Sequence, residues 1–209
     1  MKCDKAISLI SPGIDSPVST YLMKKHIDNI VAVHCTSEPL ETSRSKELVI
    51  RMCRLLKIKR LYVTDHGSIQ KRIAKDCKAP YVCILCKRFM VRVADEIAKK
   101  EGACAIITGE NLGQVASQTL DNLVIITNAT KLPILRPILC NDKLETTNIA
   151  QEIGTYEIGL ESPPCCTFVP DQPATKAAIR SIEAEEARLH VDSMVEEAIT
   201  GAEMIDLDG

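Results

Sequence analysis

The sequence contains no tryptophan, and four tyrosines and two phenylalanines bring aromatics to only 3% of its 209 residues. Single-strand nucleic-acid binders stack bases on aromatic platforms, so that mode is poorly supplied. The net charge of −2 excludes a strongly cationic chain that grips a polyanion by charge alone. No apolar stretch reaches the roughly 20 residues of a membrane span, and the first apolar run is too short for a signal-peptide core with a cleavage site. A cytoplasmic protein with no membrane partner is expected. The Gly-x-x-x-x-Gly-Lys-Ser/Thr phosphate loop and the Gly-x-Gly-x-x-Gly dinucleotide fingerprint are missing too.

What is present is alternation. Short apolar runs at residues 6–10, 30–34, 60–64, 103–108 and 134–139 read as strands. Between them lie helical patterns over residues 16–25, 43–57, 68–76, 83–100, 114–126 and 142–154, with a last helix over 174–199. Gly102 reads as a helix end, and Pro137 marks the fifth strand as an edge or an irregular end. Residues 157–173 carry four prolines and read as an ordered flap or connector, and the residues beyond 199 as frayed. The expected fold class is α/β, a parallel, Rossmann-like sheet covered on both faces, with a C-terminal helical extension. Residues 1–156 form the nucleotide-binding catalytic domain of this reading. Residues 157–209 form a cysteine-bearing connector and a helix packed on that same domain. Ligands of such sheets bind at the carboxyl edge, where strand order reverses. The loops 11–16, 34–35 and 108–114 all follow strands, so all three should line one crevice.

In the first of these loops, Ser11-Pro12-Gly13-Ile14-Asp15-Ser16 precedes a helix with Pro17 in its opening turn. Backbone N–H groups at a helix N-terminus favour an anion, and a phosphate is the natural guest. Ten cysteines are many for a chain with no export signal. Cys83-x-x-Cys86 opens a helix and supplies half a metal site; Cys165 and Cys166 are adjacent, so their side chains diverge. A set of Cys83, Cys86 and Cys166 leaves one coordination position open, which suits an iron–sulfur cluster. Structural zinc is the alternative, as is a redox Cys-x-x-Cys whose first thiol is activated by the helix N-terminus. Cys3, Cys35, Cys53, Cys77, Cys104 and Cys140 read as buried small apolar residues. Basic residues crowd 44–60 and 71–92, while acidic residues load the C-terminal end; such runs are mostly solvated helix faces.

Ser11-x-Gly13-x-Asp15-Ser16 resembles the PP-loop of ATP pyrophosphatases (adenine nucleotide alpha hydrolase-like), with Pro12 where that family usually has glycine. Pro12 removes one N–H from the cradle. The run 108–123, Thr-Gly-Glu-Asn-Leu-Gly-Gln-Val-Ala-Ser-Gln-Thr-Leu-Asp-Asn-Leu, resembles the tRNA 4-thiouridine synthetase (ThiI) family. Lys87-Arg88, Leu135-Arg136-Pro137, Asp142-Lys143, Cys166, Pro173-Ala-Thr-Lys-Ala and Ile182-Glu-Ala-Glu-Glu extend that resemblance over almost the whole chain.

The resemblance implies an ATP site at Leu9, Ile10, Ser11, Gly13, Ser16, His34, Cys35, Lys87, Gly109 and Gln118. In it, strand-end backbone reads the adenine edge, Lys87 offsets phosphate charge, and Gly109 allows close approach. Asp15 is the essential loop carboxylate, assigned to Mg²⁺ or the activated substrate. Lys143 offsets charge on pyrophosphate, and Cys166 is the catalytic cysteine. The implied activity is an ATP-dependent sulfurtransferase that adenylates a uridine oxygen in tRNA and replaces it with sulfur. Archaeal-type members use an iron–sulfur cluster, whereas bacterial members relay a persulfide from a rhodanese domain. The family's tRNA-gripping THUMP region does not precede the first strand, so RNA affinity is expected from a separate subunit or a homodimer. No rhodanese domain follows, which fits a cluster or free sulfide better than a built-in relay, with a sulfur-donor protein as the other supplier. The alternatives are thiolation or adenylation of a small molecule, as in thiamine synthesis, and a non-catalytic nucleotide-binding module.

Overall fold

The computed structural model describes residues 3–39, 42–163 and 168–208. Cys165 and Cys166, the second expected cysteine pair, lie outside the described residues.

The apolar runs form strands because both of their faces are covered. Strands β1 (Lys5–Leu9), β2 (Asn29–Thr36) and β3 (Arg60–Asp65) pair in parallel, Leu9 opposite Val33 and His34 opposite Val63. Two further strands, β4 (Ile106–Ile107) and β5 (Ile134–Leu135), extend the sheet on the other side of β1, and β5 is an edge as Pro137 suggested. A sixth strand, β6 (Glu203–Asp206), pairs antiparallel with β3, giving the order β5-β4-β1-β2-β3-β6. It corrects the expectation of a frayed end. Its residues are largely exposed, so no buried alternation announces it.

Alternate residues of each strand serve opposite faces. Ala6, Ile30, Ala32, Leu61 and Val63 face α2 (Arg44–Leu55), with α1 (Asp15–Lys24) beside it. On the other face, Ile7, Val31, Val33 and Tyr62 meet α3 (Gly67–Asp76) and the long α4 (Val82–Glu101). Helix α5 (Leu120–Thr127) packs on α4, while α6 (Lys143–Glu152) packs on α1 and α7 (Tyr156–Leu160) on α2. Gly102 ends α4 at φ +68°, in the left-handed region that glycine tolerates.

The expected single helix over 174–199 is two, α8 (Ile179–Glu186) and α9 (Val191–Thr200), split where His190 turns left-handed at φ +46°. The expected helix over 114–126 is likewise a 3-10 turn, Ala116–Gln118, followed by α5, because Thr119 caps α5 by accepting from Asn122 N. Two cysteine expectations are also corrected. Cys3 and Cys104 are joined in a disulfide that ties the entry to β1 to the entry to β4, and Cys140 is exposed. Their 101-residue separation hides the first of these from spacing arguments. Cys53 is buried as expected, and burial pushes its thiol up to about 12; Cys35 and Cys77 are half-buried, both pushed up to about 11.

Among the described residues no helix is long and apolar enough to cross a membrane.

Candidate functional site

Strand order reverses at β1: the chain first builds β2 and β3 on one side, then crosses by α4 to build β4 and β5 on the other. The carboxyl edge between the loops after β1 and β4 is where sheets of this topology form a ligand crevice.

The loop after β1 enters α1 at Asp15, and no side chain caps that helix. Its first N–H groups remain available as donors, and Pro17 falls in the opening turn, where an N–H has no partner within the helix. The serines close the loop on itself. The Ser16 hydroxyl accepts from Ser11 N at 2.8 Å, donates to Ser11 O at 3.2 Å, and lies 3.1 Å from Ser11 Oγ. A Cβ on Gly13 would meet only Ser11 Oγ, at 3.5 Å, so the folded chain alone does not demand glycine there.

Gly109, following β4, is different. A Cβ there would stand 2.5 Å from Ser16 N, 2.6 Å from Ser16 Cα and 2.8 Å from the Asp15 carbonyl carbon. The close approach this glycine permits is to the protein's own backbone, where the β4 loop butts against the start of α1.

Asp15 itself is half-buried, and burial raises its pKa against the opposing pull of the Gln114 side chain and the Lys143 charge. Lys143 is the first residue of α6, which opens with a full capping box: Asp142 accepts from Glu145 N, and Glu145 accepts from Asp142 N. The loop leading to it is tied to the β4 loop, since Asn111 donates to Asn141 O at 2.7 Å and Leu112 N to Leu139 O at 2.8 Å. Asp15 and Lys143, 128 positions apart in the sequence, thus share one corner.

Next to Gly109, Glu110 receives Lys87 Nζ at 3.1 Å and Arg136 Nε at 2.7 Å. Burial would raise the Glu110 pKa, but the two cations hold it below the usual carboxylate range. Gln118 is 8% exposed, and its side-chain oxygen has no partner among the described residues. A buried acceptor left open beside the crevice calls for a donor from a ligand.

His34 is used internally. Burial depresses its pKa to about 4, so the ring is neutral, with Nδ1 3.0 Å from Ile10 O and Nε2 3.1 Å from Ser45 Oγ. Nδ1–H therefore donates to Ile10 O and Nε2 accepts from the serine, locking the end of β2 against the residue after β1. The backbone of Leu9 and Ile10 continues the ladder, Ile10 N donating to Val33 O at 2.9 Å. Cys35 lies on the α4 face, accepting from the Thr64 hydroxyl at 3.5 Å.

Cys83 and Cys86 are the second and fifth residues of α4, half-buried and buried, immediately before Lys87. Among the described residues no three potential ligands come together as a metal site.

Sequence reasoning missed four residues. Glu110 and Arg136 stood inside quoted motifs without a role. Asn122, fully buried, donates to Ala116 O and Ala174 O, each at 2.8 Å, and accepts from Ala177 N at 3.1 Å, stitching the segment after the second cysteine pair to the β4 loop. His66, 1% exposed, stacks at 5.8 Å from Phe89 with both ring nitrogens unpaired, and burial lowers its pKa to about 4. Asn122 also stood inside the quoted run 108–123 without a role, whereas His66 had no local pattern to reveal it. The expected basic face of residues 44–60 is largely offset: Arg44 and Arg51 pair with Glu161, Lys46 with Glu203, Lys59 with Asp208, and Arg60 with Glu101.

Comparison with known proteins places this architecture. The chain is 41% identical to a "Probable tRNA sulfurtransferase" of Moorella thermoacetica over 98% of its own length and 54% of that protein. It is 40% identical to one of Methanosarcina mazei over 97% and 52%. It spans about half the length of the curated relatives it matches. A crystal structure of a 4-thiouridine synthetase–RNA complex with bound ATP superposes with a TM-score of 0.90 at 36% identity, covering 97% of this chain and 55% of that one. The U34-tRNA thiolase of Methanococcus maripaludis, solved with its [4Fe-4S] cluster, shares the fold at a TM-score of 0.54 and 14% identity, covering 94% and 70%. With residues 2–191 matching the family model described as thiamine biosynthesis protein (ThiI), the chain belongs to the ThiI family.

Proposed function

We propose that this chain is the catalytic part of an ATP-dependent tRNA sulfurtransferase that converts a uridine to 4-thiouridine. The observation that carries the reading is the corner where Asp15, Lys143 and the uncapped start of α1 meet, braced from behind by Gly109. The triphosphate lies over Ser11, Gly13 and Ser16, where the uncapped start of α1 and its helix dipole favour it. Gly13 leaves room for close approach, and Gln118 offers its open oxygen to a donor on the nucleotide. Leu9, Ile10, His34 and Cys35 supply strand-end backbone for the adenine, and Lys87 supplies charge.

Uridine O4 attacks the α-phosphorus and pyrophosphate leaves, with Lys143 offsetting the charge that builds on it. Sulfide then attacks C4, and AMP departs with the electrons of the C–O bond, so the exchange is redox-neutral. Asp15 holds Mg²⁺ or orients the activated oxygen. Cys166 is the thiol at the reacting centre. Of the described residues that flank Cys166, Gly159 packs so closely on the loop that an added Cβ would stand 3.1 Å from Ile14, and Ala174 N donates to Pro80 O just before α4. Cys83 and Cys86, soft donors one turn apart, suit two ligands of an iron–sulfur cluster or zinc, with Cys166 as the third. A cluster with one open position would hold the sulfide.

Residues 157–209 act as the cysteine-bearing connector and helical cover of this domain. Because the basic face is offset by acids, a separate RNA-binding subunit or a homodimer supplies most of the grip on tRNA. Sulfur arrives as free sulfide or from a donor protein, and the reaction is cytoplasmic.

The test is Cys166→Ser. It should abolish thiolation of tRNA while ATP binding persists, and surviving thiolation would refute the sulfur route. Pyrophosphate release from ATP should rise when tRNA is added; indifference to tRNA would favour a small-molecule acceptor.

A further inference from the structure

One carboxylate in the crevice wall holds two cations. Glu110 is 6% exposed; its Oε1 takes Lys87 Nζ at 3.1 Å, and its Oε2 takes Arg136 Nε at 2.7 Å and the Thr108 hydroxyl at 3.3 Å. Arg136 is anchored a second time, Nη2 donating to Thr127 Oγ1 at 3.0 Å, so its guanidinium plane is fixed. Nη1 is then its one nitrogen without a bond among the described residues.

Two positive charges against one negative leave an uncompensated charge on largely buried side chains, and charge away from water is costly unless something answers it. Elsewhere the molecule answers. Arg88 and Arg92 also share a single carboxylate, Glu186, but Arg92 opens onto a cleft lined by Asp95, Glu96, Asp192 and Glu196. Glu110 instead follows Gly109, which rests on the backbone of Asp15 and Ser16 at the uncapped start of α1. Asp15 on that loop is itself offset by Lys143. The corner therefore combines a net positive pair with a positive helix end, and the missing counterpart is an anion with more than one charge.

We propose that Arg136 grips the β- and γ-phosphates of ATP and stays with them as pyrophosphate leaves, with Glu110 as the positioning residue that sets Arg136 and Lys87 side by side. The inference rests on the ATP reading above. A fixed guanidinium suits this task because its planar fork matches phosphate oxygens and loses little freedom on binding. The single carboxylate lets both cations point at the crevice without collapsing onto a second acid.

The experiment is calorimetry of the full chain with ATP, pyrophosphate and AMP. Arg136→Gln should weaken ATP and pyrophosphate by about tenfold to a hundredfold, the worth of a charge-assisted bond, and leave AMP within about twofold. Arg136→Lys should recover part of the loss, and its ratio of ATP to AMP affinity carries the test if the glutamine variant does not fold. Glu110→Gln should lower kcat for pyrophosphate release by about tenfold or more without raising KM for ATP, since both cations remain but lose their alignment. Equal losses for AMP and ATP, or unchanged affinities with only a lower Tm, would overturn the inference and leave the triad as packing alone. Wild-type protein that binds neither nucleotide would remove the ATP reading and this inference with it, whereas normal wild-type binding with an unaffected Arg136→Gln defeats the inference alone.

Discussion

Gly109→Ala is the sharpest perturbation of the crevice, because the atoms it would strike are backbone. The new Cβ would sit 2.5 Å from Ser16 N and 2.6 Å from Ser16 Cα. Relaxing those contacts to the ordinary separation of about 3.5 Å requires the β4 loop and the start of α1 to part by about 1 Å. No side-chain rotation can absorb the shift. Overpacking of this kind costs about 1–3 kcal/mol, which for a chain of this length lowers Tm by roughly 2–12 °C. The functional loss should be larger, since a displacement of about 1 Å at reacting groups lowers rate about a hundredfold. Differential scanning fluorimetry gives the first number, and pyrophosphate release with ATP titration gives the second. Gly13→Ala is the contrast: its Cβ meets only Ser11 Oγ at 3.5 Å, so Tm should hold while ATP affinity falls. If Gly109→Ala keeps both its Tm and its ATP affinity, the brace between β4 and α1 does not set the loop, and the account of the corner is wrong.

The remaining predictions concern burial. His34 and His66 have pKa values lowered to about 4 in the fold and about 6.5 when unfolded. The unfolded chain therefore binds more protons between these values, and stability present above pH 6.5 is lost as pH falls toward 4, by up to about 3 kcal/mol per histidine. Urea unfolding at pH 7 and pH 5 should show the loss, and equal midpoints would contradict it. His66→Phe removes two unpaired buried nitrogens beside Phe89. It should stabilise by about 1–3 kcal/mol and remove part of the acid sensitivity; a destabilised variant would mean those nitrogens have partners in solution. Asn122→Ala strands Ala116 O, Ala174 O and Ala177 N. It should cost about 3 kcal/mol and speed proteolysis between residues 160 and 178, whereas an unchanged cleavage rate would show that the segment is held by something else.

Much of this architecture was written locally. The runs ending at Ile10, His34 and Thr64 are apolar on both sides because both sides are covered, and Gly102 marks a helix end by its backbone; the Thr119 cap is local too, yet the expected helix ran through it. The loop at 11–16 and the region 108–123 were legible as motifs of the family to which the chain belongs. Most of what escaped was long-range. Ile205 is the one partly buried residue of β6, too little to show a period of two, and its pairing with Leu61 depends on a partner 144 positions away. The break at His190 follows from the turn that seats buried Leu189, and the union of Cys3 with Cys104 from the pairing of β1 with β4. In the crevice, Gly109 read as room for a ligand, whereas its neighbour is Ser16. Glu110 read as one more charge, because only the folded chain brings Lys87 and Arg136 to it.

The antiparallel sixth strand has a consequence for how the chain is made. Its partner β3 is complete by Asp65, yet the covering residues Glu203–Asp206 are synthesised well over a hundred positions later. Until they leave the ribosome, one flank of an otherwise finished sheet displays unclaimed amide and carbonyl groups, an adhesive border for any extended segment nearby. A nascent chain stalled or clipped short of residue 203 would hold its five parallel strands in place and yet be prone to stick to its neighbours.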